Sequence, residues 1–344
     1  MTASTARRRS AVLVAGVCTI ASAGLVSPSP ASARTAAQTY IVVLETGASD
    51  ASGLVKNAGG SMVANWSPIS VVLARSSSST FASKLKSNPN VLGVRATGSL
   101  GSRLMQDEGA PDGPSPVPAP TSDSEPLAGW QWDMTQINAF AAHEINAGSP
   151  DVVVADVDTG LDFTHPDLAP NYDASLSRDC TSGSPVALAV GNDANGHGTH
   201  TAGTIGAAVN GIGITGVAPN VRLAGLKAGN NDGYFFPEAV ICAYMWIGSH
   251  GIDVANNSYF VDPWLYNCRN DADQRAIWNA VRRAISFAQS KGTVVVASEG
   301  NDSTDLSHPS VDPISPDTDP QPVPREVTNA CAVIPVEIPG VVGV

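Results

Sequence analysis

Asp151-Val-Val-Val-Ala-Asp-Val-Asp-Thr-Gly160 is the stretch that decides the fold. Its β-branched apolar run is typical of a buried strand in a parallel sheet, and the run ends at Asp158. In open α/β sheets, ligands bind at the carboxyl ends of the strands. A second stretch, Asn195-Gly-His-Gly-Thr-His-Thr-Ala-Gly203, is a glycine-rich turn that leads into a helix of small residues. Together they predict that Asp158 and His197 meet at one edge of the sheet.

The charge of the chain excludes some classes of partner. The chain has 344 residues, which is long enough for more than one domain. Its apolar fraction of 43% is enough to form a core. The formal net charge is −12, with +3 on residues 1–125 and −15 on residues 126–344. A large acidic domain is unsuited to nucleic acid or an anionic membrane, so we expect neither as a partner.

Residues 1–33 have the pattern of a signal peptide. Arg7 to Arg9 precede an apolar segment from Ala11 to Val26, and Ala31-Ser-Ala33 is a small-residue cleavage site. We therefore expect a secreted, extracellular protein. An oxidising compartment favours disulfides, and the four cysteines beyond the signal allow three pairings. These cysteines are Cys180, Cys242, Cys268 and Cys331.

The rest of the chain divides into a small unit, a linker and a larger unit. Residues 34–105 alternate strands and helices, which predicts a small α+β unit. The expected strands are residues 40–45, 69–74 and 91–96, with helices from about residues 51 and 80. Residues 106–128 are rich in proline, which predicts an exposed linker.

Residues 129–344 alternate helices with short apolar strands, which predicts a parallel sheet with helices on both faces. We expect a helix over residues 137–147 and another that Asp271 caps. Three strands end in polar residues, at Asp158, at Asn256-Asn-Ser258 and at Glu299-Gly-Asn301. In a parallel sheet these ends lie on one edge, so their side chains can converge.

The residue types at this edge suit nucleophilic acyl transfer. That reaction needs an imidazole base, a carboxylate that orients it and a donor to the oxyanion. His197, Asp158 and Asn301 match these three roles. Two alternatives remain open: Asp156 and Asp158 could form a D-x-D phosphatase motif, and His197 with His200 could bind a metal.

The motifs resemble those of the subtilisin-like serine peptidases (subtilases). The matching segments are Val157-Asp-Thr-Gly-Leu-Asp162, His165-Pro-Asp-Leu168, Gly196 to Gly203, Gly216-Val-Ala-Pro219, Ile252 to Ser258 and Val294 to Asn301. The resemblance implies a subtilisin-like α/β fold in which His197 is the base, Asp158 orients it and Asn301 binds the oxyanion. It also implies that Ser258 lies on an edge segment that pairs with the substrate backbone.

The resemblance further implies partners. Residues 40–103 look like the ferredoxin-like inhibitory propeptide of this family, so we expect the chain to bind its own propeptide and polypeptide substrates as a monomer. The chemistry needs no cofactor. Asp167 and Asn210 lie where many members bind structural calcium, although the loop over residues 210–216 is apolar and looks short.

The sequence departs from the family pattern at its nucleophile. The Gly-Thr-Ser-Met-Ala motif does not occur in these residues, and only 43 residues follow Asn301. We therefore expect a fragment truncated before the serine motif and inactive as it stands. Two alternatives are a non-catalytic pseudopeptidase that binds peptides along the Ser258 edge, and a fragment without a stable fold.

Two further departures concern specificity. Tyr259-Phe260 replaces a usual Leu-Gly pair, and Glu299 stands where a small residue is usual. Both put the family's subsite preference in doubt. As a hypothesis, Glu299 favours substrates with a basic side chain before the scissile bond.

Overall fold

The computed structural model describes most of the chain beyond its first 35 residues. The described residues are 36–48, 50–97, 125–317, 319 and 321–344. The predicted signal peptide and most of the predicted linker lie outside them. Within these ranges no helix is long and apolar enough to cross a membrane.

The small unit is a four-stranded antiparallel sheet with two helices. Its sheet order is β2-β3-β1-β4, and the βαββαβ sequence of elements is that of a ferredoxin-like fold. The elements are β1 (Gln38–Leu44), α1 (Ala51–Ala58), β2 (Ser61–Trp66), β3 (Val71–Ser76), α2 (Phe81–Lys86) and β4 (Val91–Thr97). Strand β2 was not predicted, because it lies at the sheet edge and is mostly exposed, so it carries little apolar pattern.

The larger unit is built on a six-stranded parallel sheet of order β14-β10-β8-β5-β7-β6. Its strands are β5 (Val153–Asp158), β6 (Arg178–Asp179), β7 (Arg222–Lys227), β8 (Val254–Asn257), β10 (Val294–Ala297) and β14 (Val342–Gly343). Its helices are α3 (Trp132–Gln136), α4 (Ala139–His143), α5 (His197–Gly206), α6 (Pro237–His250) and α7 (Ala272–Ser290). Two short antiparallel pairs complete it: β9 (Tyr266–Cys268) with β13 (Cys331–Val333), and β11 (Val311–Asp312) with β12 (Arg325–Glu326).

Helices cover both faces of the parallel sheet, as predicted. In β5, Val153, Ala155 and Val157 pack in the core that α6 and α7 share. Val154 packs in a separate cluster with Ala202 of α5. Because successive side chains of a strand point to opposite faces, the alternate residues of β5, including Asp158, face α5.

The small sheet packs one face against its own helices and the other against the larger unit. Tyr40, Val42 and Leu44 of β1 lie in a core with α1 and α2. Ile41 and Val43 lie instead in the core that contains α6 and α7. The period of two along β1 therefore gives this sheet two apolar faces, and the second is covered by the larger unit.

Of two predictions about the helices, one is confirmed and the other is not. Asp271 caps α7 as predicted, since its carboxylate accepts hydrogen bonds from the backbone amides of Asp273 and Gln274. The helix predicted over residues 137–147 is shorter than expected, because α4 covers only Ala139–His143. It begins after Asn138, whose left-handed conformation with φ of 60° separates it from α3.

The four cysteines form two disulfides, one of the three pairings that the sequence allows. Cys180 bonds Cys242 and so ties the end of β6 to α6. Cys268 bonds Cys331 across the antiparallel pair of β9 and β13, where the two residues are in register. Each bond closes a loop of about sixty residues, which stabilises the folded chain mainly by restricting the unfolded one.

Candidate active site

Three strand ends meet at the carboxyl edge of the parallel sheet. Val157 pairs with Asn257, and Asn257 pairs with Ala297 on the next strand. The residues that follow these positions therefore lie side by side, which is the convergence expected of parallel strands. Asp158, Ser258 and the segment from Ser298 are brought to one edge although they are far apart in sequence.

Asp158 and His197 form a hydrogen-bonded pair at this edge. His197 Nδ1 lies 2.7 Å from Asp158 Oδ1, and the carboxylate is fully buried whereas the imidazole is 26% exposed. The Thr159 backbone amide also donates to Oδ1, at 2.6 Å. Because a carboxylate oxygen only accepts, Nδ1 carries the proton and Nε2 is left with the lone pair that a general base needs.

Two glycines allow the helix that carries His197 to begin directly over β5. Gly196, which precedes α5, has φ of 92°, a left-handed conformation that favours glycine. A Cβ atom on Gly198 would lie 2.1 Å from the Gly160 carbonyl oxygen and 3.0 Å from Asp158 Cβ. The close approach of α5 to the end of β5, and hence the short distance within the pair, depends on the missing side chain at Gly198, and the turn into α5 depends on the left-handed backbone of Gly196.

Asp193 fixes the first turn of α5, a role that the sequence analysis missed. Its Oδ1 accepts from the Gly196 amide at 3.0 Å and the Thr159 hydroxyl at 2.8 Å. Its Oδ2 accepts from the amide and the hydroxyl of Thr199, at 2.8 and 2.6 Å. Burial opposes ionisation, but these hydrogen bonds outweigh it and lower the pKa of Asp193. An acidic residue just before a helix start is the signal that could have revealed it.

Lys227 brings a buried cation close to the pair. It is opposite Asp158 in the register of β5 and β7, and its ammonium group donates to the Thr159 carbonyl and to Asn231 Oδ1. Burial lowers the pKa of Lys227, against the opposing effect of Asp179, Asp193 and Asp158. The ammonium group therefore holds the turn after Asp158 by its backbone.

Ser258 and Tyr259 continue the β8 edge. Ser258 Oγ accepts a hydrogen bond of 3.3 Å from Asn256 Nδ2. Tyr259 is buried: its ring stacks on Phe235 with centroids 4.1 Å apart, and its hydroxyl donates to Asn257 Oδ1 at 2.9 Å. Tyr259, which stands where the family usually has leucine, therefore packs in the core.

Glu299 and Asn301 follow β10 in an exposed segment. The Glu299 amide donates to the Val344 carbonyl at 2.8 Å, and its carboxylate lies beside Gly343. Asn301 lies in the bend beyond it, at the same carboxyl edge of the sheet as the end of β5. The oxyanion role of Asn301 and the substrate role of Glu299 stay predictions.

Two acidic side chains contact the loop that follows α5, near the positions at which structural calcium was expected. Glu125 Oε1 accepts from the amides of Asn210 and Gly211, and Asp167 Oδ2 accepts from the amide of Ile214. The other carboxylate oxygen of each acid is buried and has no hydrogen-bond partner among the described residues. Uncompensated oxygens of this kind suit a hard cation. No cluster of three or more His, Cys, Asp or Glu in the described ranges has metal-site geometry.

A parallel α/β sheet with a buried carboxylate–imidazole pair at its carboxyl edge defines a hydrolase-like class of site. The model of the subtilase family matches residues 149–338, which is more than half of the chain. The chain belongs to the subtilase family, whose curated relatives are serine endopeptidases.

Individual relatives agree on the family but exceed this chain in length. Over 179 residues the chain is 35% identical to Subtilisin BL of Lederbergia lenta, covering 52% of this chain and 58% of the relative. It is 31% identical over 196 residues to fervidolysin of Fervidobacterium pennivorans, covering 54% and 25%. The chain thus spans little more than half, or less, of these relatives.

The solved structures agree on the fold. The epidermin leader peptide processing serine protease from Staphylococcus aureus matches with a TM-score of 0.64 at 22% identity, covering 90% of this chain and 69% of that one. Fervidolysin matches with a TM-score of 0.59 at 23% identity, covering 78% and 40%. At these identities the likeness establishes the subtilisin-like fold alone.

Proposed function

We propose that the chain is the precursor of a secreted serine endopeptidase. Residues 1–33 would be its signal peptide, 34–105 its propeptide, 106–128 a linker and 129–344 its catalytic domain. The observation that carries this proposal is the 2.7 Å contact between His197 Nδ1 and the buried carboxylate of Asp158. Since no serine in residues 1–344 has the Gly-Thr-Ser-Met-Ala context, the nucleophile would lie on a segment beyond them.

In the proposed mechanism, His197 Nε2 takes the proton of the serine hydroxyl as the hydroxyl attacks the scissile carbonyl. Asp158 keeps the imidazole in the required tautomer and stabilises the imidazolium that forms. Asn301 donates to the oxyanion, and His197 then protonates the leaving amine. Ser258 lies on the strand edge that pairs with the substrate backbone, and Glu299 contributes to the choice of side chain before the scissile bond.

The small unit is the proposed inhibitor and folding partner of the catalytic domain. Asp273, in the first turn of α7, accepts from Lys86 at 2.8 Å and from Arg95 at 2.9 Å. Arg283 of α7 donates to three backbone carbonyls of the small unit, those of Leu44, Ile69 and Ser70. Together with the shared apolar core, these contacts support the proposal that the small unit is a specific partner of the catalytic domain, docked on α6 and α7.

Calcium is the one ion that we propose for this fold, in a structural role. Glu125, Asp167 and the Asn210 loop would hold it, because the two acids present buried oxygens to the same loop. The ion would offset the cost of burying two carboxylates and fix the segment that follows α5. Chelation should lower the melting temperature of the wild-type chain but not that of Asp167→Asn.

The proposal is tested on the chain extended by its native reading frame past the codon for Val344. The extended protein is expected to hydrolyse casein, and His197→Ala should leave only about 10³–10⁴-fold catalysis over water. His308→Ala is the matched control, because His308 is exposed and bonds only Asp305 among the described contacts. Equal rates for His197→Ala and the wild type, or a stop codon directly after Val344, would refute it. Peptide binding without hydrolysis would support the pseudopeptidase instead.

A further inference from the structure

Asp156 is a second carboxyl group behind Asp158, and the proposed mechanism does not use it. Both residues lie on the face of β5 that α5 covers, because side chains alternate along a strand. Asp156 is only 1% exposed, so it is neither a surface residue nor a turn former. A buried carboxyl group in the middle of a strand requires a compensating set of contacts.

The contacts of Asp156 join three elements of the site. Its Oδ2 lies 2.7 Å from Thr201 Oγ1, one turn along α5 from His197. Its Oδ1 accepts a hydrogen bond of 3.0 Å from Asn256 Nδ2 on β8, where Asp156 and Asn256 are paired in register. The same Asn256 amide group reaches Ser258 Oγ at 3.3 Å. One side chain on β5 thus links the helix that carries the base to the strand edge that ends in Ser258.

The hydrogen bonds around Thr201 favour a protonated Asp156. Thr201 Oγ1 lies 3.0 Å from the Gly198 carbonyl as well as 2.7 Å from Asp156 Oδ2, and its hydroxyl has one proton. A protonated Asp156 can donate to Thr201 Oγ1, which then donates to the Gly198 carbonyl. An ionised Asp156 would instead compete with that carbonyl for the single proton.

We propose that Asp156 is a positioning residue that stays protonated at neutral pH and ties the His197 helix to the Ser258 strand. The inference rests on the proposed function, since it gives Asp156 a role through His197. The neutral form leaves Asp158 as the single negative charge of this carboxyl pair beside the imidazole. Ionisation of Asp156 adds a second negative charge and stabilises the imidazolium, which makes His197 a poorer proton donor to the leaving amine.

The electrostatic surroundings agree with this role. The titratable groups that face Asp156 are Asp158 on its own strand and His197 on α5, while β8 contributes the neutral Asn256. Burial, followed by the charge of Asp158, raises the pKa of Asp156 to about 8, against the lowering effect of Asn256, Thr201 and His197. Because the charge of His197 acts on Asp156, ionisation of Asp156 in turn acts on the imidazole.

The test follows the His197 imidazole by NMR in the full chain with ¹⁵N-labelled histidine, so it does not need a nucleophile. Wild type, Asp156→Asn, Asp156→Leu and the control Asp162→Asn are titrated from about pH 5 to 10, and His197→Gln assigns the signal. Asparagine can donate to Thr201 and accept from Asn256, whereas leucine can do neither. Asp162 is a part-buried acid in the loop after β5, and its carboxylate bonds only Thr164 in the described contacts.

The wild type and Asp162→Asn are expected to show a second step near pH 8 in the His197 titration, and Asp156→Asn to lack it. Asp156→Asn should keep the downfield Nδ1–H signal of the Asp158–His197 hydrogen bond, and Asp156→Leu should broaden or lose it. The inference is overturned when Asp156→Asn follows the wild-type curve throughout, or when it departs from that curve already below pH 7. A wild type without the Nδ1–H signal would count against the proposed function itself.

Discussion

Glu238 offers a stability prediction that can be worked from the structure. It is the second residue of α6, 6% exposed, under the small sheet and beside Thr97 at the end of β4. Burial raises its pKa from 4.5 to about 7, against the lowering effect of its own backbone amide and of Thr97. Glu238 Oε2 has no hydrogen-bond partner in the described part of the chain. The carboxyl group therefore resists ionisation where the two units meet.

The sign of the pH dependence follows from the raised pKa. Below about pH 4.5 the carboxyl group is protonated in both the folded and the unfolded chain, so its burial carries no ionisation cost. As the pH rises toward 7, the unfolded chain ionises first and the free energy of unfolding falls. Above about pH 7 the folded form ionises as well and the loss is complete. At 1.36 kcal/mol for each pKa unit, the full loss is about 3 kcal/mol.

Glu238→Gln removes this loss, because glutamine stays neutral at every pH. The free energy of unfolding of the full chain is measured in urea at about pH 5.5 and at about pH 8. Both values are above the sequence pI of 4.8. From about pH 5.5 to about pH 8, the free energy of unfolding of the variant is expected to rise by about 2 kcal/mol relative to that of the wild type. The matched control is Glu326→Gln, since Glu326 is exposed on β12. The reasoning would be refuted if the difference in free energy of unfolding between Glu238→Gln and the wild type did not change with pH.

Three further outcomes follow from other contacts. Arg283→Met should weaken the docking of the small unit by about 2–3 kcal/mol, because three carbonyl oxygens lose a charged donor, and limited proteolysis of the small unit measures it. Asp193→Ala should cost about 1–2 kcal/mol in urea unfolding by removing the hydrogen bonds that start α5, and Asp193→Asn should recover part of that loss. Replacing Cys268 and Cys331 by serine should cost about 2–5 kcal/mol in the same assay, and an unchanged midpoint would contradict the pairing.

The sheet was predictable because its signals are local in sequence. The β-branched run before Asp158 and the capping residue Asp271 each act within a few residues, and both held. The helix predicted over residues 137–147 was too long, because the periodicity of apolar residues does not report the left-handed backbone of Asn138, after which α4 begins. The disulfide pairing could not be deduced, since each bond joins residues more than sixty positions apart.

The polar contacts that complete the site were beyond sequence reasoning for a different reason. Five acids have one buried oxygen without a hydrogen-bond partner among the described residues: Glu125, Asp158, Asp167, Glu238 and Asp317. The sequence motifs identified Asp158 and Asp167, but apolar spacing gives no sign that Glu125 or Glu238 is buried, because distant elements impose that burial. An unpaired buried carboxylate oxygen destabilises the fold, so the described part of the chain gives up stability at these five positions. Four of the five lie where we propose a function, namely beside the base, in the calcium loop or at the contact between the units, whereas Asp317 lies beside Asp262. At those four positions a proton, a cation or a partner would offset the cost of burial.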